Sequence, residues 1–243
     1  MGEQRSAVVV GVGAEAGLGG ALCKRFGREA LHVFVAGRTA AKLQVVVDAI
    51  AAAGGTATAV PTDTTVEADV VRLFERAEAT APIDLVVFNA GGNQMANLLE
   101  MQAAFFEDVW RVGCLGGFLV GREAARRMVP RARGTLLFTG ATASVRARPP
   151  FIAFASAKAA LRAIAQGMAR EFGPQGVHVG HVIIDGGIDG ERLRTLAPGF
   201  VSAKGDEGLL DLDAIADAYW YLHEQHRTAW THELDLRPFK EPF

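Results

Sequence analysis

A glycine-rich string near the start of the chain is the first stretch whose residue types and spacing could do chemistry. The apolar run Val8–Val10 leads directly into it, and its glycines include Gly13, Gly17 and Gly19. Glycines after a strand let the backbone turn tightly, and they let the N–H groups of the next helix approach a pyrophosphate. Glycines also occur in tight turns that bind no ligand, so the glycines alone do not indicate a binding site. The strand before this string and the Ala/Leu-rich helix after it therefore carry the prediction of a dinucleotide site.

Three further groups of residues complete an ordered set along the chain. Asp63-Thr64 follows the third apolar run, Asn89-Ala90-Gly91 closes the fourth, and Lys158 ends the string Phe154-Ala155-Ser156-Ala157-Lys158. Together with the spacing Gly13-x-x-x-Gly17-x-Gly19, this set resembles the short-chain dehydrogenase/reductase family. The resemblance implies an NAD(P)-binding domain whose cofactor contacts are Gly13, Gly17, Leu18, Gly19, Arg38, Asp63, Thr64, Asn89, Ala90, Gly91, Lys158 and Ile188.

The elements that must position these residues follow from the alternation of apolar runs and helical segments. Runs rich in Val, Leu and Phe, without polar alternation, are typical of strands covered on both faces. Their repetition predicts an α/β fold, a single Rossmann-type doubly wound domain over residues 1–243 with a parallel β-sheet flanked by helices. The predicted strands are Ala7–Val10, His32–Ala36, Ala57–Pro61, Leu85–Asn89, Thr135–Thr139, His178–Ile184 and Glu233–Leu236. The predicted helices are Gly19–Glu29, Ala40–Ala53, Glu67–Thr80, Ala103–Met128, Phe154–Phe172 and Leu212–Gln225.

The choice of cofactor depends on the end of the second predicted strand. NAD-specific folds of this kind place a carboxylate there to accept the ribose hydroxyls. This chain has Gly37, then Arg38 and Thr39, and a guanidinium without a competing acid suits a 2′-phosphate. Glu15 opposes this interpretation, because a carboxylate in the glycine string would repel a nearby phosphate. NADP is therefore favoured over NAD, although a surface Arg at a strand end is also an ordinary feature.

Most of the family's catalytic groups are missing at the positions that the resemblance implies. The family uses a Tyr as general acid/base, a Ser that orients the substrate, an Asn in a water relay and a Lys. Only Lys158, the one predicted catalytic residue, is present. Phe154 stands where the Tyr is expected, Ala141 where the Ser is expected and Gly113 where the Asn is expected.

Other candidates for the site lie in loops after the strands. The substrate contacts that we predict are Asn93, Thr142, Ser144, Phe154 and Asp189, and a substrate lid is predicted over Gly187–Gly208. Thr142 and Ser144 are also good turn formers, and that role is favoured. Asp185 is either a turn residue, the favoured interpretation, or a carboxylate that faces the nicotinamide. No His is paired with an acid by spacing, and no metal site is predicted.

Three functions remain open. A positioned general acid contributes about 100- to 10,000-fold in rate, so ordinary ketone reduction should be poor without the Tyr. The first function is hydride transfer to an acceptor that needs no proton at that moment, such as a protonated imine. The second is slow carbonyl reduction with water or Ser144 as the proton source. The third is a non-catalytic NADP-binding sensor or partner subunit.

Composition limits the remaining function classes. The formal net charge of −2 gives no basic excess for nucleic acid or an anionic membrane. No apolar stretch reaches the roughly 18 residues that span a bilayer. Cys23 and Cys114 lie far apart, which favours buried reduced thiols over a disulfide framework or a zinc site. We expect a cytoplasmic protein that acts on a small molecule, and the resemblance implies a homodimer or homotetramer.

Overall fold

The computed structural model describes residues 4–242, and its centre is one sheet of seven parallel strands. The strand order is β3-β2-β1-β4-β5-β6-β7, which confirms the predicted parallel α/β architecture with helices on both faces. The strands are β1 Arg5–Val10, β2 Leu31–Gly37, β3 Thr56–Pro61, β4 Ile83–Phe88, β5 Thr135–Thr139, β6 His178–Ile184 and β7 Glu233–Leu236. The helices are α1 Leu18–Gly27, α2 Ala40–Ala52, α3 Glu67–Thr80, α4 Ala103–Trp110, α5 Gly116–Met128, α6 Ile152–Phe172, α7 Glu191–Leu196, α8 Pro198–Lys204 and α9 Leu212–Glu224.

Two apolar cores, one on each face of the sheet, explain why the strands lack polar alternation. Val9 of β1 and Val35 of β2 face the layer formed by α1, α2 and α9. Val8 and Phe34, the neighbouring pair in the register, face the layer of α3, α5 and α6. Successive side chains of a strand point to opposite faces, so a strand covered on both faces is apolar throughout.

The helix predicted over Ala103–Met128 is not a continuous α-helix, because a π-helical turn over Arg111–Leu115 separates α4 from α5. Gly113 lies in this turn and packs against α6. A Cβ at Gly113 would lie only 2.9 Å from Cβ of Ala157. The glycine therefore allows the close approach of the two helices, and the turn marks the point of contact.

The predicted lid, Gly187–Gly208, contains regular structure that its weak periodicity did not indicate. The short helices α7 and α8 occupy most of it, and their side chains are half-buried or exposed. Within residues 4–242, no helix combines the length and the apolar character that crossing a bilayer requires.

Candidate active site

The carboxyl ends of the strands lie along one edge of the sheet, where the predicted site residues follow them. The strand order reverses at β1, which has β2 on one side and β4 on the other. In open parallel sheets, ligands bind in the crevice outside such a reversal. The glycine string follows β1 and Asn89 follows β4, so the two predicted cofactor segments flank this crevice.

Gly13 and Gly19 have different structural roles in the glycine string. A Cβ at Gly19 would lie 2.9 Å from Cα of Val12, so this glycine lets α1 pack against the end of β1. A Cβ at Gly13 would have no atom within 4 Å. Gly17 is the N-cap residue, and no side chain caps the first N–H groups of α1, which begins at Leu18. Open space in front of free helix N–H groups is the cradle that a pyrophosphate requires.

The segment Asn89–Gly91 lies between the glycine string and helix α6. The side-chain amide Nδ2 of Asn89 donates a hydrogen bond to the carbonyl oxygen of Gly11 at 3.2 Å. Ala90 is buried against Gly11, whose φ of +90° and contact with the Ala90 backbone leave no room for a side chain. A Cβ at Gly91 would lie 3.5 Å from Nζ of Lys158. Three predicted cofactor segments therefore meet at this edge.

The residue after β2 is an arginine whose guanidinium forms no ion pair at contact distance within residues 4–242. Arg38 is exposed, and in residues 4–242 no hydrogen bond holds its side chain. Glu15, the carboxylate that opposed a phosphate nearby, forms an ion pair with Lys24 of α1. Its charge is thereby compensated within the protein, and Arg38 is the cation free to meet an anion at the end of β2.

Asp63 and Thr64, which follow β3, point in different directions. The Asp63 carboxylate accepts hydrogen bonds from the backbone N–H of Thr65 at 2.9 Å and from its hydroxyl at 2.8 Å. These bonds, the backbone one foremost, with the nearby charges of Arg38 and Arg111, lower the pKa of Asp63. Thr64 is buried against Gly116 of α5, where an added Cβ would lie 2.9 Å from the Thr64 hydroxyl oxygen. Of the predicted pair, only the Asp63 side chain faces charged groups at the site's edge.

Lys158 and Phe154 form the centre of the candidate site on α6. Lys158 is 4% exposed, and its Nζ donates to the carbonyl oxygen of Thr139 at 2.7 Å. The same Nζ lies 5.8 Å from the centre of the half-buried Phe154 ring. Burial lowers the pKa of Lys158 to about 8, because desolvation disfavours the charged form. The ring faces an ammonium of this chain, an arrangement typical of a cation–π contact.

Asp185 is more than the turn residue that its position favoured. Its carboxylate is buried, accepts a hydrogen bond from the Thr142 hydroxyl, and pairs with Arg237 at 2.6 Å and Arg146 at 3.6 Å. Thr142 begins a 3-10 turn that ends at Ser144. The predicted turn is confirmed for both, and the Thr142 hydroxyl serves the structure rather than an open substrate pocket.

The segment predicted as a lid, 187–208, is attached to the glycine string and to the core at its beginning. The N–H of Glu191 donates to the carbonyl oxygen of Ala16 at 2.7 Å, and Ile188 forms a parallel bridge with Leu210. Asp189 is held by Arg194, with Nε 2.7 Å from Oδ1, so its carboxylate is already paired. Ile188 is half-buried and packs against the core layer that includes Val12 and Leu18.

The loop after β4 meets the lid from the other side. A Cβ at Gly92 would lie 2.4 Å from a guanidinium nitrogen of Arg192, so α7 lies directly against this loop. Asn93, the next residue, is exposed. Asn93 and Phe154 are accessible at the crevice, whereas the side chains of Thr142 and Asp189 are bound to other residues.

A polar chain beneath the site was missed from the sequence. His181 of β6 is fully buried, and its Nδ1 lies 3.0 Å from Oε2 of Glu233 on β7. Its other nitrogen, Nε2, lies 3.4 Å from the hydroxyl oxygen of Ser144. The spacing prediction that no His pairs with an acid was therefore wrong. One signal was available, since a histidine within an otherwise apolar strand buried on both faces requires a polar partner.

Comparison with known proteins assigns the family. The short chain dehydrogenase family model matches residues 7–197. The chain is thus a member of the short-chain dehydrogenase/reductase family. The crystal structure of a short-chain dehydrogenase from Rhodopseudomonas palustris is 38% identical, with a TM-score of 0.83 over 97% of this chain and 99% of that one. Gluconate 5-dehydrogenase of Gluconobacter oxydans is 29% identical over 84% of this chain and 75% of its own length. A 3-oxoacyl (acyl-carrier-protein) reductase from Agrobacterium tumefaciens with NADP bound shares the fold, at 24% identity, with a TM-score of 0.86 over 96% of this chain and 94% of that one.

The residues of this short-chain dehydrogenase/reductase fit a dinucleotide at the predicted place. The open space at Gly13, the uncapped start of α1 and the exposed Arg38 offer room, N–H donors and a cation. Lys158 faces the same edge. In contrast, Phe154 offers no hydroxyl beside Lys158. The crevice therefore has the room and the donors that a dinucleotide needs, while residue 154 carries no ionisable proton.

Proposed function

We propose that this chain is an NADP(H)-dependent oxidoreductase that transfers hydride without a proton donor at position 154. The observation that carries the proposal is the pairing of Lys158 with Phe154 at the crevice edge, where the lysine is retained and the phenol oxygen is absent. Bound NADPH supplies the hydride. Lys158 is a cation beside the crevice, suited to holding the ribose of the cofactor, as the family resemblance implies.

The preference for NADP over NAD is supported by charge. Arg38 is a free guanidinium at the end of β2, and Lys24 compensates the Glu15 carboxylate that would oppose a phosphate. The NADP bound to the reductase from Agrobacterium tumefaciens, which shares this fold, is consistent with this choice. A forked guanidinium binds a phosphate through two parallel charge-assisted hydrogen bonds.

The acceptor that best suits Phe154 is a protonated imine or another group that needs no proton during hydride transfer. A carbonyl becomes an alkoxide when it receives hydride, and an apolar ring at position 154 cannot protonate it. A protonated imine becomes a neutral amine, so the missing acid costs nothing. The charge of Lys158 opposes a cationic substrate, although its pKa of about 8 reduces that charge in mildly alkaline solution.

A second candidate is carbonyl reduction, or the reverse oxidation of an alcohol, with the proton exchanged at Ser144. The observation in its favour is the contact between the Ser144 hydroxyl and Nε2 of His181. A third candidate, a non-catalytic NADP-binding sensor or partner subunit, is supported by the fact that Gly13, Asn89 and Lys158 also serve binding alone.

A two-stage experiment separates these functions. The purified protein is titrated with NADPH and NADH by calorimetry, and panels of cyclic imines, enones and ketones are then added while reduced nicotinamide absorbance is followed. We expect tighter binding of NADPH and its consumption with imines. Consumption with ketones at equal rates would favour the second candidate. Binding without consumption by any panel would leave the non-catalytic function.

We also propose a cytoplasmic homodimer or homotetramer assembled through α4, α5 and α6. Large side chains of the first two helices are partly exposed on this side, among them Phe106, Trp110 and Phe118. Light scattering coupled to size exclusion measures the mass in solution, and a monomer at micromolar concentration would contradict this arrangement. The stretch 187–208 is proposed as the lid over the substrate, with α7 against the β4–α4 loop.

A further inference from the structure

A buried chain of polar groups leads from the candidate site to the protein surface. Ser144 follows β5, His181 lies on β6 and Glu233 on β7, and the register pairs the last two directly. Ser144 is 5% exposed and His181 fully buried, whereas the side chain of Glu233 is 26% exposed. The groups thus form a graded path from interior to solvent.

The Glu233 carboxylate and the N–H of Ala141 determine where the hydrogens lie in this row of polar groups. The carboxylate of Glu233 can only accept, so Nδ1 of His181 carries the hydrogen that it receives. Burial lowers the pKa of His181 to about 4, so the imidazole is neutral and its Nε2 is a free acceptor. The Ser144 hydroxyl oxygen accepts from the N–H of Ala141 at 3.1 Å. Its own hydrogen is therefore directed at Nε2.

Neighbouring residues hold this geometry in place. Arg162 of α6 donates two hydrogen bonds of 2.6 Å to the Glu233 carboxylate, which keeps it ionised and oriented. A Cβ at Gly140 would lie 2.3 Å from Nε2 of His181, so the imidazole fits beneath this turn only because residue 140 is glycine. The charged groups that act on His181 are Glu233, Lys158 and Arg162.

We propose that Ser144, His181 and Glu233 form a proton relay that substitutes for the absent phenol and makes carbonyl/alcohol pairs substrates of the site. The inference rests on the proposed hydride transfer. In the oxidative direction, the substrate hydroxyl loses its proton through one bridging water to Ser144, whose own proton passes to Nε2 of His181. The Nδ1 proton then passes to Glu233 and on to solvent, and a bound NADP would supply the hydride acceptor. Reduction runs the same transfers in reverse.

Ser144 is connected to the position at which the family's serine is expected. The family's Ser is expected at position 141, and the hydroxyl of Ser144 is bonded to the backbone N–H of that residue. A water molecule bridging two polar groups is nearly as favourable as a direct hydrogen bond.

The test compares S144A, H181Q and E233Q with the control H178Q. His178 is also a buried histidine of β6, but it bonds to the carbonyl oxygen of Thr231, away from Ser144. We expect S144A and H181Q to lower kcat for a ketone by about 10- to 100-fold, with the rate for a protonated imine and the Kd of NADPH unchanged. The control should change none of these.

Nitrogen-15 NMR of the cofactor-free protein gives a readout independent of turnover. We expect His181 as the Nδ1–H tautomer in the wild type, with its signal altered in E233Q. An Nε2–H tautomer, or equal losses with ketone and imine, would overturn the relay. If the wild type turns over and the variants match it, only the relay fails. If the wild type does not consume NADPH with any of the tested acceptors, the proposed function fails and the relay with it.

Discussion

The ammonium nitrogen of Lys158 lies 5.8 Å from the ring centre of Phe154, one helical turn before it on α6. In this family's pattern, the same turn would place a phenol beside the lysine, whose charge would lower the phenol pKa. Here the charge meets an aromatic face. The lysine lies at the edge of the crevice, and residue 154 carries no hydroxyl although the helix is continuous there.

Adding a phenol at position 154 should raise ketone reduction above the rate that the proposed relay through Ser144 supplies. We expect F154Y to raise the NADPH-dependent rate on simple ketones by about 100-fold or more, because Lys158 would stabilise the phenolate of a general acid. The double variant F154Y/A141S should raise it further. Initial rates at fixed NADPH measure the effect.

Phe154→Leu is the matched control, since it changes packing without adding a hydroxyl. It should leave ketone rates at the wild-type level. Equal rates for wild type and the double variant would show that position 154 does not face the reacting carbon.

Stability should depend on pH through Lys158. Its folded pKa of about 8 lies below the ordinary 10.5, so between these values the unfolded chain binds more protons than the folded one. Stability therefore rises with pH across this window, and the cost of the buried charge is fully present below pH 8. Relative to K158M, the free energy of unfolding of the wild type should increase by about 3 kcal/mol between pH 7 and pH 10.5.

Urea unfolding of both proteins at several pH values measures this difference. K158M is the control for other groups that titrate at alkaline pH, such as buried thiols, because both proteins contain them. A difference that stays constant over the window would show that Lys158 is not desolvated in the folded state.

The strands and the glycine-rich turn after β1 could be predicted because their signals are local. A parallel strand covered on both faces is a continuous apolar run, and Thr135–Thr139 and His178–Ile184 were predicted with their observed bounds. The glycine string combines a strand, a turn and a helix start within a few residues. Local spacing thus predicts the fold and the position of the glycine string within it.

The contacts that define the polar side of the site are long-range, which is why spacing missed them. His181 and Glu233 are 52 residues apart in sequence and meet only through the register of β6 and β7. Asp185 is paired with Arg237 by the same strands. Glu15 is compensated by Lys24, a contact that depends on how the glycine string meets α1. No periodicity encodes such pairings.

Discrimination between the two cofactors should depend on Arg38. Replacing it by Ala removes a charge-assisted contact worth about 1.5–3 kcal/mol, so the Kd of NADPH should rise about 10- to 100-fold. The Kd of NADH should change little, because NADH lacks the 2′-phosphate. Calorimetric titration with both cofactors measures this.

Arg170→Ala is the matched control, since it removes an exposed arginine near the end of α6. Both cofactors should bind it as they bind the wild type. Equal weakening of NADPH and NADH in R38A would contradict a specific role toward the 2′-phosphate.

Two alanine substitutions in the glycine string should separate folding from binding. A methyl at Gly19 would lie 2.9 Å from Cα of Val12, so G19A should destabilise the fold by about 1–3 kcal/mol. A methyl at Gly13 meets nothing, so G13A should keep or slightly raise stability while blocking the space for the pyrophosphate. Thermal unfolding and NADPH titration of both variants give the two readouts. If G13A bound NADPH as tightly as the wild type, the pyrophosphate would have to lie elsewhere. A methyl group at residue 13 would otherwise keep the pyrophosphate away from the helix N–H groups.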